Sequence, residues 1–485
     1  MNVKAISRNV GYALLVSALF MFLSVIVSVA NGNDSALAAL SISFVITFTV
    51  GIFPFIFVRR TSAITLKDGY LIIVLSWLLS FVFGMLPYAL WGGPFTVVNA
   101  WFESVSGFTT TGSTILDNIE ALPDSLLFWR SSTHFIGGLG VVVFLLLIIP
   151  SASPIKLRLT NMELSSLSKD GYNVRANKTV YIFASVYLAL GVVAFLSYWA
   201  AGMTPFDAVN HAMSVCASGG FSTRNLSIAA YDSRLIEGLT MIFMYVASIH
   251  FGLVFMTFAT RSLRPLKNPV LRFYTLALAV FSAGLAVSLK LNGISDGWGR
   301  ALWDGAFSVL SVASTTGFAC VDNAAWPIQA SLITMFLGIM CGCAGSTTGG
   351  IKADRVLVLL KAIARQVKQT IHPSAVNEVR LGSHILRDEE VTPQILYITL
   401  YSVMVVISVF LCLLLGVSTH NAFAGTISSL GNVGPAVEEL GSMGSFNGVP
   451  VAAKLVYTFD MFLGRIEIYP VLAVVAMIFS KKGAK

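Results

Sequence analysis

Charged side chains are scarce in this sequence: Asp, Glu, Lys and Arg make up 11% of 485 residues, against 56% for hydrophobic ones. A chain so composed cannot clothe a water-exposed surface, which excludes an ordinary soluble domain. Acidic residues are the rarer sign, 23 against 31 basic. The positive excess does not point to nucleic acid, because the Lys and Arg residues fall in short segments between apolar runs, where the positive-inside rule explains them. Cysteine is sparse too. Cys216, Cys320, Cys341, Cys343 and Cys412 are odd in number, sit mostly in apolar context and lack paired zinc-type spacing, so they read as small buried hydrophobes. No P-loop or dinucleotide fingerprint occurs, so no organic cofactor is expected in this chain. No nucleophile, base and orienting group recur at a motif spacing around His134, His211 or Asp207, so the chain is not read as an enzyme.

What the sequence has in abundance is apolar runs of membrane-crossing length. They fall near residues 10–30, 36–58, 70–91, 127–149, 179–200, 235–259, 270–290, 328–360, 392–416 and 450–478, which predicts ten crossings. Lys4 and Arg8 followed by an apolar run and Ser-Val-Ala at 28–30 resemble a signal peptide, but a second span begins near Ala36 and the first is long, so a retained hairpin is expected. With a cytoplasmic N-terminus most Lys and Arg residues lie inside. That predicts a multi-pass protein of the cytoplasmic membrane with both termini in the cytoplasm.

The outer segments after the third, fifth, seventh and ninth spans are too apolar for solvated loops and too interrupted to be crossings, so they read as re-entrant. They share a register. Anchored on Gly112, Gly220, Gly317 and Gly434, each has an Asn or Asp thirteen residues earlier (Asn99, Asp207, Asp304, Asn421) and a serine six earlier (Ser106, Ser214, Ser311, Ser428). Five residues later come Asp117, Asn225, Asp322 and Glu439. Each copy therefore reads as a short inward half-helix, N-capped by its Asn or Asp, then a turn at glycine that sends the chain back out. Four half-helix C-termini aimed at one axis make a cation site. Thr110, Thr111 and Gly112, Ser218, Gly219 and Gly220, Thr315, Thr316 and Gly317, and Asn432, Val433 and Gly434 would supply carbonyls in place of an ion's water. The acidic column would gather cations at the mouth. The expected architecture is an all-α membrane protein: an N-terminal transmembrane hairpin (1–66), then four pseudo-symmetric helix, pore-loop, helix repeats (67–150, 151–262, 263–366, 367–485) around one central pore.

Beneath the loops, the eighth span is interrupted by Gly342, Gly345, Ser346, Thr347, Thr348, Gly349 and Gly350. So many glycines cost a helix roughly 1 kcal/mol each, so the segment is expected to unwind within the pore, or else to kink a packed helix. Arg465 and Glu467 lie inside the last apolar run, where ionised groups face a cavity or a partner. Arg465 either enters the ion path or pairs with another helix, with Asp460 a candidate partner. His134 and His250 read as packing histidines rather than proton relays.

The fourfold register resembles the Trk, Ktr and HKT superfamily of cation transporters over essentially the whole chain, and the N-terminal hairpin resembles its TrkH branch. The resemblance implies one filter loop per repeat, with potassium at the filter the only metal. A glycine at position 112, where some sodium-preferring plant members carry serine, implies a potassium filter. It implies further that 341–350 is an intramembrane gating loop, that Arg465 projects into the ion path, and that the chain works as a homodimer with a cytoplasmic TrkA-like nucleotide-binding ring. The basic segments 151–178 and 352–390 are the surfaces for that ring or for anionic lipid headgroups. A sodium- or proton-coupled symporter of the same fold stays open. An organic-solute transporter is disfavoured, because all four copies enter from the same side.

Overall fold

Asn2, whose side chain accepts from the Ala5 amide, caps helix α1 (Val3–Ala30), which packs against α2 (Leu37–Phe57) as a hairpin. The two approach closely at Gly11, where a Cβ would lie 2.7 Å from the Gly51 carbonyl oxygen. The computed structural model describes residues 2–58, 65–140, 176–374, 377–382 and 384–480.

After the hairpin, one order of elements recurs. A long helix leads to a short buried one and then to a return helix. The first set is α3 (Leu66–Gly84), continued by α4 (Leu86–Trp91), then the half-helix α5 (Val97–Phe108) and α6 (Asp124–Gly138). The second is α7 (Ala176–Ala200), half-helix α8 (Pro205–Cys216), α9 (Arg234–Ser248) and α10 (Phe251–Thr260). The third is α11 (Pro269–Leu291), half-helix α12 (Trp298–Ala313) and α13 (Ile328–Ile339), followed by β1 (Met340–Cys341), β2 (Ile351–Lys352) and α14 (Ala353–Ile371). A small antiparallel ribbon, β3 (Val379–Leu381) with β4 (His384–Leu386), precedes the fourth: α15 (Asp388–Leu414), half-helix α16 (Thr419–Gly431), α17 (Val451–Arg465) and α18 (Tyr469–Ser480).

Burial is inverted relative to a water-soluble protein. Val192, Val193 and Leu196 of α7 and Phe410 and Leu414 of α15 face outward, whereas Glu103, Arg130 and many Ser and Thr residues are buried. That pattern suits a lipid surround. Hydroxyls facing the apolar interior are satisfied within their own helix, as where Ser43 donates to the Ala39 carbonyl at 2.7 Å.

Among the described residues six helices are long and apolar enough to cross a membrane, against ten crossings predicted, of which the 328–360 one was expected to be interrupted. The difference lies in breaks and in where the described residues end. The 235–259 run is α9 and α10, bent by 101°, and the 328–360 run parts at 340–352. The 450–478 run parts at Glu467 and Ile468, both left-handed (φ 62° and 55°). The 127–149 run passes at residue 141 out of the described residues, as does most of the basic segment 151–178.

The half-helix caps also differ from expectation. Thr96, Thr204 and Ser418 accept from the amides of Asn99, Asp207 and Asn421, placing those three in the first turn rather than at the cap. A hydroxyl three residues ahead of the third free amide is itself a favoured cap, worth about 1 kcal/mol. In the third repeat α12 starts earlier, at Trp298, so Asp304 lies mid-helix and pairs with Arg300 at 3.4 Å. The displaced side chains tie the half-helices to the outer loops instead. Asp207 accepts from Thr223 at 2.6 Å and Arg224 at 2.7 Å, and Asn421 donates to Glu439 at 3.1 Å.

Candidate functional site

All four half-helices end in the same backbone knot. The amides of Thr111, Gly219, Thr316 and Val433 each donate at 2.9 Å to the carbonyl of the column serine, five residues back. The amides of Thr110, Ser218, Thr315 and Asn432 donate three residues back, at 3.0, 3.1, 2.9 and 3.2 Å. This pair of bonds is a Schellman close, which requires a left-handed residue just past the helix. Thr110, Ser218, Thr315 and Asn432 are that residue, with φ of 55°, 55°, 53° and 54°. Glycine is the usual occupant, and a β-branched threonine there stores strain. Two residues on, Gly112, Gly220, Gly317 and Gly434 are again left-handed, with φ of 85°, 78°, 75° and 95°.

The anchor glycines close a circle. A Cβ on Gly112 would lie 2.1 Å from the Gly219 oxygen, on Gly220 1.9 Å from the Thr316 oxygen, on Gly317 2.4 Å from the Val433 oxygen, and on Gly434 2.4 Å from the Thr111 oxygen. Each glycine thus receives the carbonyl that precedes the anchor of the next loop, in the order first, second, third, fourth and back to first. Only an absent side chain leaves room for these oxygens. All four glycines line one outer cavity of about 140 Å³, with Asp117, Arg224 and Asn225 at its rim.

Struts behind the circle hold the returning chain. Ser106 donates to the Ser113 carbonyl at 2.6 Å, Ser311 to the Phe318 carbonyl at 2.6 Å, and Ser428 to the Gly434 carbonyl at 2.7 Å. The second loop is built differently: Ser214 sits 3.4 Å from His134 Nδ1, and the Phe221 amide donates to that same nitrogen at 3.4 Å. The imidazole lies flat on the Phe221 ring at 3.9 Å, and the Arg130 guanidinium stacks on Phe221 at 3.5 Å. Arg130 pairs with Glu103 at 2.5 Å, both fully buried, and donates to the Ser222 carbonyl at 3.2 Å. Glu103 accepts in turn from Thr114 and from the Ile115 amide at 3.1 Å. One buried ion pair therefore ties the first and second loops together.

Below the circle, the helix of the third repeat opens. α13 stops at Ile339 and α14 begins at Ala353; between them β1 and β2 pair in parallel, Met340 with Ile351 and Cys341 with Lys352, so residues 342–350 bulge sideways as a loop closed at its neck. The loop reaches the left-handed residues of three repeats. Thr347 Oγ1 lies 2.7 Å from Ser218 Oγ, the Gly349 amide donates to Thr315 Oγ1 at 3.0 Å, and a Cβ on Gly349 would meet Asn432 at 2.7 Å. Gly345 and Gly350 are left-handed (φ 77° and 60°), and Gly342 packs against the Ser248 carbonyl with no room for a Cβ. Ser346 donates to the Cys343 carbonyl at 2.6 Å and meets Thr348 at 2.8 Å.

Arg465, the last residue of α17, crosses under the loop. It donates to the Thr347 carbonyl at 2.7 Å and to the Gly137 and Gly138 carbonyls of α6 at 2.6 and 3.0 Å. Asp460 accepts from Ser408 at 2.7 Å, so it is not the counter-ion considered from sequence. Glu467, freed from the helix by the left-handed break, pairs with Arg355 at 2.6 Å. The loop, Arg465, Lys352 and Glu467 line a cavity of about 100 Å³.

The predicted filter and loop residues are thus brought together in two stacked layers. Two residues assigned from sequence to the cytoplasmic surface belong here instead. Lys352 is buried and donates to the Thr348 carbonyl and, at 3.2 Å, to its hydroxyl; Arg355 is buried against Tyr397. They follow the glycine run directly, and only the neck pairing folds them inward. The acidic column holds loops as well as charge: Asp117 accepts from Asn447 at 2.7 Å and Asn225 from the Ile119 amide at 2.6 Å. Sequence reasoning missed the Glu103–Arg130 pair. Two opposite charges inside apolar stretches were the available signal. The packing role expected of His134 is what its stacking shows, but its hold on the second loop has no sequence signature.

The chain as a whole is similar to known proteins. A profile of the TrkH family, described as cation transport protein, matches residues 38–483. The Trk system potassium uptake protein TrkH of Vibrio parahaemolyticus is 30% identical over 99% of both chains. TrkI of Halomonas elongata is 32% identical over 96% of this chain and 94% of its own. The crystal structure of the potassium transporter TrkH from Vibrio parahaemolyticus superposes with a TM-score of 0.87 at 30% identity, covering 97% of this chain and 98% of that one.

Proposed function

The chain belongs to the TrkH family of cation transport proteins, and from that premise we propose that it takes up potassium across the cytoplasmic membrane through a pore on the axis of the four anchor glycines. The observation that carries this reading is the closed circle of carbonyls received by Gly112, Gly220, Gly317 and Gly434. A dehydrating cation needs oxygens on all sides at once, and the circle offers one from each repeat. Half-helix C-termini behind it add roughly half a negative charge each. The repeat boundaries are taken as 67–150, 151–262, 263–366 and 367–485, after the hairpin 1–66.

The loop 342–350 and Arg465 form the gate in this proposal. The loop lies against the left-handed residues at the inner end of the filter, and the guanidinium both pins Thr347 and opposes a passing cation. A cytoplasmic nucleotide-binding subunit of the TrkA kind would move the loop, and the chain would work as a homodimer. The relatives' names, which place them in a Trk system, support a partner of this kind.

Flux through the purified chain in liposomes, with potassium, rubidium, sodium and lithium compared, tests the reading. Potassium and rubidium should pass well ahead of sodium and lithium. Equal flux of all four, or none with the loop removed, would overturn it.

A further inference from the structure

The 101° bend between α9 and α10 opens a recess that shares no lining residue with the cavities at the glycine circle and at the loop. Its walls are α9, α10, the turn at Arg264–Lys267 and the first three turns of α11. At about 720 Å³ it is much larger than the outer cavity over the filter. Ile249, Phe258, Leu266 and Leu276 give it an apolar lining, and among the described residues Arg272 is the only charged one on its wall.

Two features define what it can hold. Its polar groups are already spent: Tyr245 and Thr275 hydroxyls meet at 2.7 Å, and Thr257 donates to the Leu253 carbonyl at 2.8 Å. Apart from Arg272 no side-chain donor on the wall is left unspent, so an apolar chain is the fitting content of the rest. The entrance is the opposite. Arg261, Arg264, Lys267 and Arg272 are exposed, no Asp or Glu occurs from 238 to 295, and among the described residues none of the four makes an ion pair.

We infer that this recess binds an anionic phospholipid, its acyl chains between α9, α10 and α11 and its phosphate on Arg272 with Arg264 and Lys267. Exposed cations at the end of an apolar slot match a molecule that is negative at one end and hydrocarbon at the other. A zwitterionic lipid offers the same chains with a compensated head, so headgroup charge should decide retention. The recess shares no lining residue with the cavity at the glycine circle, but its bend at Ile249 adjoins Ser248 and Phe251, which bond the loop at Cys343 and Gly345.

Native mass spectrometry of the full chain released from detergent, titrated with phosphatidylglycerol or phosphatidylcholine, tests it. Phosphatidylglycerol should be retained preferentially. The preference should fall roughly fivefold for each cation removed in Arg264→Ala and Arg272→Ala, and Arg272→Lys should keep most of it. Ala279→Phe, which fills the recess, should lower retention of both lipids. Lys290→Ala, at the far end of α11 where Lys290 donates to the Asp296 carbonyl at 2.8 Å, should change nothing. Equal retention of the two lipids by the unaltered chain would overturn the site, as would a preference that survives both alanine substitutions. A change of oligomeric state in Ala279→Phe with lipid retention intact would overturn it too, by making the recess a contact between copies. If the double alanine variant does not fold, Ala279→Phe and the single substitutions decide the matter.

Discussion

Replacing Arg465 by alanine should open the pore, and the size of the effect can be worked from three hydrogen bonds. Two run to Gly137 and Gly138, at the end of α6, and involve no residue of the loop. The third, 2.7 Å to the Thr347 carbonyl, exists only while the loop lies under the filter. A charge-assisted bond of this kind is worth roughly 1.5 to 3 kcal/mol. A loss of about 2 kcal/mol from the closed state alone shifts the open-to-closed ratio roughly 30-fold. On the proposed gate, removing a positive charge from the ion path acts in the same direction. The assay is potassium-driven rubidium uptake into liposomes holding the purified variant, normalised to folded protein. Arg465→Lys should fall between, since an ammonium can replace the charge but not the fork that reaches both Thr347 and α6. A loop shortened by Thr347 to Gly349 should also conduct faster. Combined with Arg465→Ala it should give less than the product of the single effects, because both remove the same contact. The potassium-to-sodium ratio should hold in Arg465→Ala, since the circle of carbonyls lies beyond the guanidinium. Flux at or below the starting level in both folded variants would refute the argument and move the gate into the helix bundle.

Three further outcomes follow from the proposed filter and the buried pair behind it. Gly112→Ser and Gly317→Ser place a Cβ 2.1 and 2.4 Å from a neighbouring carbonyl oxygen and add the left-handed penalty of about 1 to 2 kcal/mol, so ion-ratio measurements should show potassium preference falling roughly tenfold. His134→Ala strips the acceptor from the Phe221 amide and Ser214, a loss of about 1 to 3 kcal/mol confined to the second loop; selectivity should drop, and His134→Asn, which presents an oxygen near the Nδ1 position, should restore much of it. Glu103→Ala leaves Arg130 charged, buried and unpaired, which costs about 3 to 5 kcal/mol; thermal inactivation should come at lower temperature, and Glu103→Ala with Arg130→Met should recover part of the loss.

Much of this protein could be read along the chain because its information is periodic. Lipid-length apolar runs come from the thickness of a bilayer, and the fourfold column of Gly and Ser comes from a backbone knot that each half-helix must tie in the same way. Ser106, Ser311 and Ser428 recur because the chain returning from each glycine turn needs a donor for a carbonyl at the anchor glycine or the residue after it. A break at 342–350 was legible from glycine content, which makes that run a poor helix, but the choice between a kink and an unwound loop was made by the parallel neck at Met340 and Ile351. The caps were read three residues too late: Asn99, Asp207 and Asn421 are good caps in isolation, but Thr96, Thr204 and Ser418 compete for the same amides and win.

What remained was decided by folding in three dimensions. Two positions apart, Arg465 and Glu467 need separate partners, but which ones was set by the left-handed break at Glu467 and Ile468, which sends the carboxylate to Arg355 and leaves the guanidinium under the loop. The parallel neck at Met340 and Ile351 carries Lys352 and Arg355 from an expected cytoplasmic surface into the interior. The second loop gives up its serine strut for His134, a residue 80 positions away from Ser214. Local sequence fixes what a segment can form by itself, because capping, helix cost and hydrophobic length are properties of a few neighbouring residues. Partners across the pore are set by which chain segments the closed circle brings within hydrogen-bond reach, and that depends on all four repeats being in place.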